Sequence, residues 1–248
     1  MLRVGCIPYL NCEPFFAHLS GFELHPVTPR ALGQAMADGT LHAGPLSLVD
    51  FLNLDGAVVP LPFGIATRGP ARSVVLLSDR PLSKLGGAVI GVTSETSTSV
   101  QLLRLLFALK YDVTPRAWVG AEEPCDALLL IGDGAIRALK SPPRFSHIVD
   151  LGSEWAQWTG LPCVFARWGV RVSVPETDRL AFWCALDEAL DHGLASIPEI
   201  ASRRRDTGFT AAEVTAYLDG FTYRLGAEEE KAIAEFSRLR AFLQDARC

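Results

Sequence analysis

Short apolar runs alternate with stretches of helical period through the first half of this chain, and that alternation excludes most architectures. It is the mark of βα units wound onto a largely parallel sheet. Strands fit residues 3–7, 24–28, 42–46 and 58–60, with helices between them at 11–19 and 29–38. In the second helix Leu32, Ala35 and Met36 share a face, and Gly39 supplies a stop. Residues 73–78, Ser-Val-Val-Leu-Leu-Ser, form a continuous apolar strand, followed by a polar passage over 79–87 and another strand at 88–92. The strongest helical signal covers 97–110, where Val100, Leu103, Leu106, Phe107 and Lys110 fall along one face. Strands at 126–131 and 147–151 and a returning strand at 163–172 follow. From residue 176 the pattern is almost wholly helical, with helices at 178–192, 210–218 and 227–242. Thr210 and Glu213 have capping-box spacing, which marks a helix start.

This order predicts two α/β lobes joined by a two-strand hinge, with a helical C-terminus. The expected division assigns residues 1–75 and 172–248 to the first lobe and 76–171 to the second. A single doubly wound domain is the alternative, but two long polar crossings fit it poorly. Hinged lobes hold a ligand in the cleft between them.

Composition removes several functions. A net charge of −5 over 248 residues argues against a nucleic-acid-binding face. The one basic run, Arg203-Arg204-Arg205, is followed by Asp206 and reads as solvated surface. No apolar stretch reaches the roughly 18 residues of a membrane span. Met1-Leu2-Arg3 runs straight into a strand, so neither a signal peptide nor a membrane partner is expected and the chain should stay in the cytoplasm. The six cysteines are scattered without CxxC spacing and read as buried free thiols. Neither they nor the five histidines have zinc-ligand spacing. No metal ion or organic cofactor is expected, and GxGxxG, P-loop and GxSxG motifs are missing. Trp155 and Trp158 have helical spacing and read as core.

Candidate site residues gather where strands end. Asn11 follows the first strand, at the sheet edge where α/β folds bind ligands, although Asn is also a favoured N-cap. The run Ser94-Glu95-Thr96-Ser97-Thr98-Ser99 precedes the strongest helix. Hydroxyls and free N–H groups there make an anion site, and capping alone needs only one such residue. Arg72 offers a fork of donors to a carboxylate, but alternation sets it on the face opposite Ser73. Gly132-Asp133-Gly134 follows a buried strand and should reach the cleft, unless Asp133 caps a short helix over 135–139.

Three segments carry a family resemblance: Tyr9-Leu10-Asn11-x-x-Pro14 within residues 5–15, Phe63-Gly64-Ile65-Ala66 continuing through Arg72-Ser73-Val74, and Ile90-Gly91-Val92-Thr93 leading into residues 97–103. They resemble the chorismate dehydratase family of the futalosine route to menaquinone. The resemblance implies a type II periplasmic-binding-protein-like fold and the removal of water from chorismate to give 3-[(1-carboxyvinyl)oxy]benzoate. It implies Asn11 and Ser73 as catalytic residues, with Tyr9, Leu10, Ser47, Arg72, Ser97, Thr98, Gly132 and Asp133 contacting a small dicarboxylate. A monomer or homodimer is expected. None of these residues is a His, Lys or Glu suited to general-base work, so the substrate's own side-chain carboxylate is expected to take the ring proton. An essential Glu13 or Asp133 beside dispensable Asn11 and Ser73 would contradict that mechanism.

Three alternatives stand beside it. A related enzyme of the same route, forming 1,4-dihydroxy-6-naphthoate, has a histidine where this chain reads Ile131-Gly132-Asp133-Gly134. A solute-binding protein for a small carboxylate should carry an export signal or lipobox. An effector domain of a transcription regulator should carry a DNA-binding helix pair ahead of the first strand.

Overall fold

A computed structural model of the protein describes residues 1–142 and 144–245; Cys248 lies outside them. The chain opens with β1 (Arg3–Cys6), a 3-10 turn at Leu10–Cys12 and the short helix α1 (Glu13–Phe16). Next come β2 (Glu23–Pro26), α2 (Pro29–Asp38), β3 (Ala43–Ser47), α3 (Leu48–Asn53) and the long β4 (Val58–Thr67). A second group follows: β5 (Val74–Ser78), β6 (Val89–Val92), α4 (Thr98–Leu105), β7 (Ala117–Gly120), β8 (Ala127–Ile131), α5 (Gly132–Lys140), β9 (His147–Asp150) and α6 (Leu151–Thr159). The chain then returns through β10 (Cys163–Arg171) and ends in α7 (Glu176–Ala195), α8 (Ile197–Arg203), α9 (Ala211–Leu218), β11 (Thr222–Arg224) and α10 (Ala227–Asp245).

Two sheets result, in the orders β11-β4-β10-β3-β1-β2 and β7-β6-β8-β5-β9. The expectation of largely parallel sheets is corrected, because both are mixed. β1 runs parallel to β2 and β3, and β6 parallel to β7 and β8, while β5, β10 and β11 pair antiparallel. The crossings cause the mixture: a strand that leaves one sheet and a strand that returns to it run in opposite senses. β4 and β10 are such a pair, with Cys163 opposite Thr67 and Val164 opposite Ala66 where the two crossings begin. β10 therefore belongs to the first sheet along its whole length, so residues 163–171 join the first lobe rather than the second, while β5 opens the second sheet at Val74 and the first lobe ends before it rather than at residue 75. Its partners lie some 100 residues earlier, beyond the reach of local pattern.

Local chemistry sets several boundaries. Thr28 accepts the Ala31 N–H at the start of α2, Pro29 occupies the first turn where its missing N–H is harmless, and Gly39 closes the helix at φ 84°. Both bonds of the Thr210–Glu213 capping box are present at α9. The helix expected over 11–19 is shorter, because one begun at Asn11 would need an N–H at position 14 and Pro14 has none. The helix expected over 97–110 continues past α4 as a π-helical turn over Leu106–Lys110.

Each sheet packs on its own core. Trp168, Phe15, Phe63 and Phe182 fill the first lobe, and Trp155, Phe107, Leu103 and Leu129 the second. Trp155 is core as expected and donates its indole N–H to the Pro162 carbonyl. A third cluster joins α8 and α9 to Leu10 and Ile136, so C-terminal helices bind elements of both lobes. Five cysteines are free, but burial as a rule is corrected: Cys12 and Cys163 are buried, while Cys184 lies exposed on α7. Among the described residues no helix is long and apolar enough to cross a membrane.

Candidate active site

Between the two sheets lies a partly open cleft. From the first lobe Tyr9, Asn11 and Ser47 reach it; from the second come Ser73, the 95–99 segment and Gly132. Asn11 sits inside the 3-10 turn, and Cys12 rather than Asn11 holds the N-cap position of α1 without a side-chain bond. The capping explanation for Asn11 therefore fails. Its carbonyl oxygen accepts a weak bond from the Cys12 thiol at 3.6 Å, and the amide NH2 remains a donor for a ligand in the cleft.

Ser73 is buried just before β5, facing the cleft. Its hydroxyl donates to the Ala71 carbonyl at 3.3 Å and accepts from the Tyr217 hydroxyl at 2.7 Å. The Ser73 carbonyl accepts the Gly132 N–H at 2.8 Å, so Gly132 steadies Ser73 and has no N–H to spare for a ligand.

The N-terminus of α4 abuts the cleft. Ser97 occupies the N-cap position, yet neither it nor another side chain caps the helix. Thr96 is buried with its hydroxyl unpartnered and also lines the cleft. Uncapped N–H groups at the positive end of the helix dipole and an unsatisfied hydroxyl thus border the same cleft, an arrangement that favours an anion there. Thr98 also lines the cleft; its hydroxyl accepts the Val49 N–H at 3.2 Å from α3, which leaves its own hydrogen able to donate into the cleft. Ser47 lines the cleft too, but its hydroxyl donates to the Asp50 carboxylate at 2.7 Å and accepts the Asp50 N–H at 3.1 Å as the cap of α3.

Three expected contacts lie outside the cleft. Leu10 is fully buried among α8, α9 and Ile136, because its turn directs the side chain into the apolar cluster there. Arg72 is exposed in a left-handed conformation (φ 58°), and its guanidinium donates to the Ala216 carbonyl at 3.3 Å. Asp133 is buried and does not cap a helix. Its carboxylate accepts the Leu10 N–H at 2.9 Å and an ion pair from Arg204. Arg204 also pairs with Glu13 and Asp206, so the expectation of a solvated surface arginine is corrected. Burial pushes the Asp133 carboxyl above its usual range, against the lowering pull of the Leu10 N–H and Arg204.

Cys12, Phe165 and Phe221 line the cleft without any sequence signal, and Glu95, Thr96 and Ser99 of the 94–99 run line it beside the expected Ser97 and Thr98. Glu95 stood within the run noticed for its hydroxyls, and its charge was the available signal. The Tyr9 hydroxyl donates to its carboxylate, linking the lobes. Burial first, and then this bond, push the Tyr9 phenol well above its ordinary value, so it stays a donor at neutral pH.

Tyr9 lies flat against Gly132. A Cβ at residue 132 would stand 2.7 Å from a Tyr9 ring carbon, and Gly132 already has φ 57°. Gly132→Ala is expected to cost about 1–2 kcal/mol from the left-handed backbone alone and to lower Tm by a few degrees. A thermal melt checks this, and an unchanged Tm would contradict it.

The two-sheet architecture with its central cleft is the periplasmic-binding-protein fold. Protein AF1704 from Archaeoglobus fulgidus shares it at a TM-score of 0.80 and 18% identity, over 98% of this chain and 97% of that one. The aliphatic sulphonate binding protein SsuA from Escherichia coli shares it at a TM-score of 0.67 and 16% identity, over 99% and 92%. Residues 2–241 match the menaquinone biosynthesis family model, and the chain belongs to that family. It is 30% identical to the chorismate dehydratase of Thermus thermophilus, over 94% of this chain and 93% of that protein. It is 26% identical to the 1,4-dihydroxy-6-naphtoate synthase of the same organism, over 94% and 91%.

Proposed function

We propose that this chain is a chorismate dehydratase, a hydro-lyase that converts chorismate to 3-[(1-carboxyvinyl)oxy]benzoate and water for menaquinone synthesis. One observation carries the reading: Asn11 and Ser73 share a cleft with the uncapped N-terminus of α4. Chorismate has two carboxylates and a ring hydroxyl that must depart. The α4 terminus with Thr96 and Ser97 suits one carboxylate, and the Asn11 amide suits an oxygen on the other side. Kinship with the T. thermophilus chorismate dehydratase supports the same substrate.

The product is aromatic, so the driving force lies in the substrate and the protein's part is positioning and electrostatics. The ring C–O bond breaks and the oxygen leaves, stabilised by the Ser73 hydroxyl. The hydrogen on the neighbouring ether-bearing carbon passes to the substrate's side-chain carboxylate, and from there it completes the water. Glu95 is the cleft carboxylate that could compete for this role, but it already accepts from Tyr9. No lining histidine is present among the described residues, which disfavours the naphthoate-forming reaction. Buried free thiols at Cys12 and Cys163 suit a reducing, cytoplasmic setting.

Mass spectrometry and proton NMR of chorismate incubated with the purified protein test the reading. The expected product is lighter by one water and carries aromatic ring protons. Chorismate bound but recovered unchanged would overturn the reading in favour of a solute-binding protein.

A further inference from the structure

Ser73 is held by a residue that does not line the cleft. Tyr217 lies on α9 and is buried at 1% exposure, with Phe209 and Phe221 packed at centroid distances of 5.8 and 5.1 Å. Its hydroxyl reaches the Ser73 oxygen at 2.7 Å from 144 residues further along the chain. The sense of this bond follows from the second one: Ser73 sends its own hydrogen to the Ala71 carbonyl, so Tyr217 is the donor. The two bonds are unequal. The bond to Ala71, at 3.3 Å, is long for a hydroxyl donor, whereas the bond from Tyr217 has ordinary length.

We propose that Tyr217 is a positioning residue that makes Ser73 a stronger hydrogen-bond donor to the departing oxygen of the substrate. The proposal rests on the dehydratase reading. A hydroxyl that accepts a bond becomes a better donor, because chained hydrogen bonds polarise one another, and more so away from water. With the Ser73 lone pair occupied by Tyr217, the Ser73 hydrogen is the part left to turn. It exchanges the long bond to Ala71 for one to the substrate oxygen as the ring C–O bond breaks. No proton moves from Tyr217 in this step. The leaving oxygen gains negative charge, the chain of two hydroxyls stabilises it, and the ring hydrogen taken by the substrate carboxylate completes the water. Burial holds the Tyr217 phenol well above its ordinary value, so it remains protonated throughout the working pH range.

The alternative is that Tyr217 is merely a core aromatic whose hydroxyl found a partner, and kinetics of Tyr217→Phe and Ser73→Ala, alone and together, separate the two. Phenylalanine keeps the ring packing and removes only the donor. The relay predicts that Tyr217→Phe lowers kcat about tenfold while KM stays within twofold. It also predicts that the same substitution has no further effect once Ser73 is alanine. A merely structural role predicts either an unchanged kcat or an equal loss in both backgrounds, and either result overturns the relay while leaving the dehydratase reading intact. A wild-type protein that leaves chorismate unchanged overturns the reading and the relay together. If Tyr217→Phe lowers Tm by more than about 10 °C, Tyr217→Met serves as a control for lost packing, and kcat fully retained in it would count against the relay.

Discussion

Asn11→Ala is expected to lower kcat for chorismate by about 10²–10³-fold, the cost of removing one preorganised donor from a charge-developing site, with Tm nearly unchanged. The expectation follows from how little Asn11 does for the fold. Its side chain caps no helix, and its bond in the protein is the weak one from the Cys12 thiol. What the side chain does have is a position in the cleft, on a turn whose backbone is held by other groups. Steady-state kinetics beside a thermal melt separate the two roles. A large fall in Tm with a proportionate loss of activity would make Asn11 structural, and an unchanged kcat would remove it from the reaction.

Those other groups set the second large effect. The turn bearing Asn11 is fixed by the Leu10 N–H bound to Asp133, and Asp133 is paired with Arg204. Arg204 is 14% exposed at its side chain and Asp133 7%, and Arg204 also holds Glu13. Arg204→Met would leave Asp133 as a buried carboxylate without its cation. Removing one partner of such a pair costs about 3–5 kcal/mol, which for a chain of this size lowers Tm by roughly 10 °C. Exposure of Arg204 to water at its rim favours the lower end. Asp133→Asn combined with Arg204→Met should recover part of the loss, because the amide can still accept the Leu10 N–H without carrying charge. Calorimetric melts of the single and double variants check this. An Arg204→Met protein as stable as the wild type would show that the network contributes nothing.

Whether the sequence disclosed an element depended on how local its cause is. α2 and α9 were legible almost to the residue because their own side chains start and stop them: Thr28, Pro29 and Gly39 for one, Thr210 and Glu213 for the other. β10 was assigned to the wrong lobe because its sheet is decided by β3 and β4, which an apolar run alone does not reveal. The same distinction divides the site. Ser97 and Asn11 announce themselves as polar residues at element ends, and both reach the cleft. Asp133 satisfied the same pattern, yet its carboxylate meets Leu10, 123 residues earlier, and Arg204, 71 residues later. Leu10 belongs to the motif that marks the family, but in an irregular turn no simple alternation says which side chain faces inward. Tyr217 and Phe221 carried no signal at all, since an aromatic on an apolar helix (Tyr217) or in the loop after it (Phe221) reads as core until the fold brings it to a serine or a cleft.

In the proposed reaction the cleft holds chorismate and the substrate supplies its own base. Turnover of chorismate by the wild type, Glu95→Gln and Asn11→Ala, measured side by side, decides between a substrate base and a protein base. Glu95 is the cleft carboxylate that could act as a base, and the glutamine variant keeps its shape and its bond from Tyr9 while losing the basicity. A substrate base predicts that Glu95→Gln retains kcat within about tenfold and that Asn11→Ala loses most of it. A silent Glu95→Gln protein beside an active Asn11→Ala protein would contradict it.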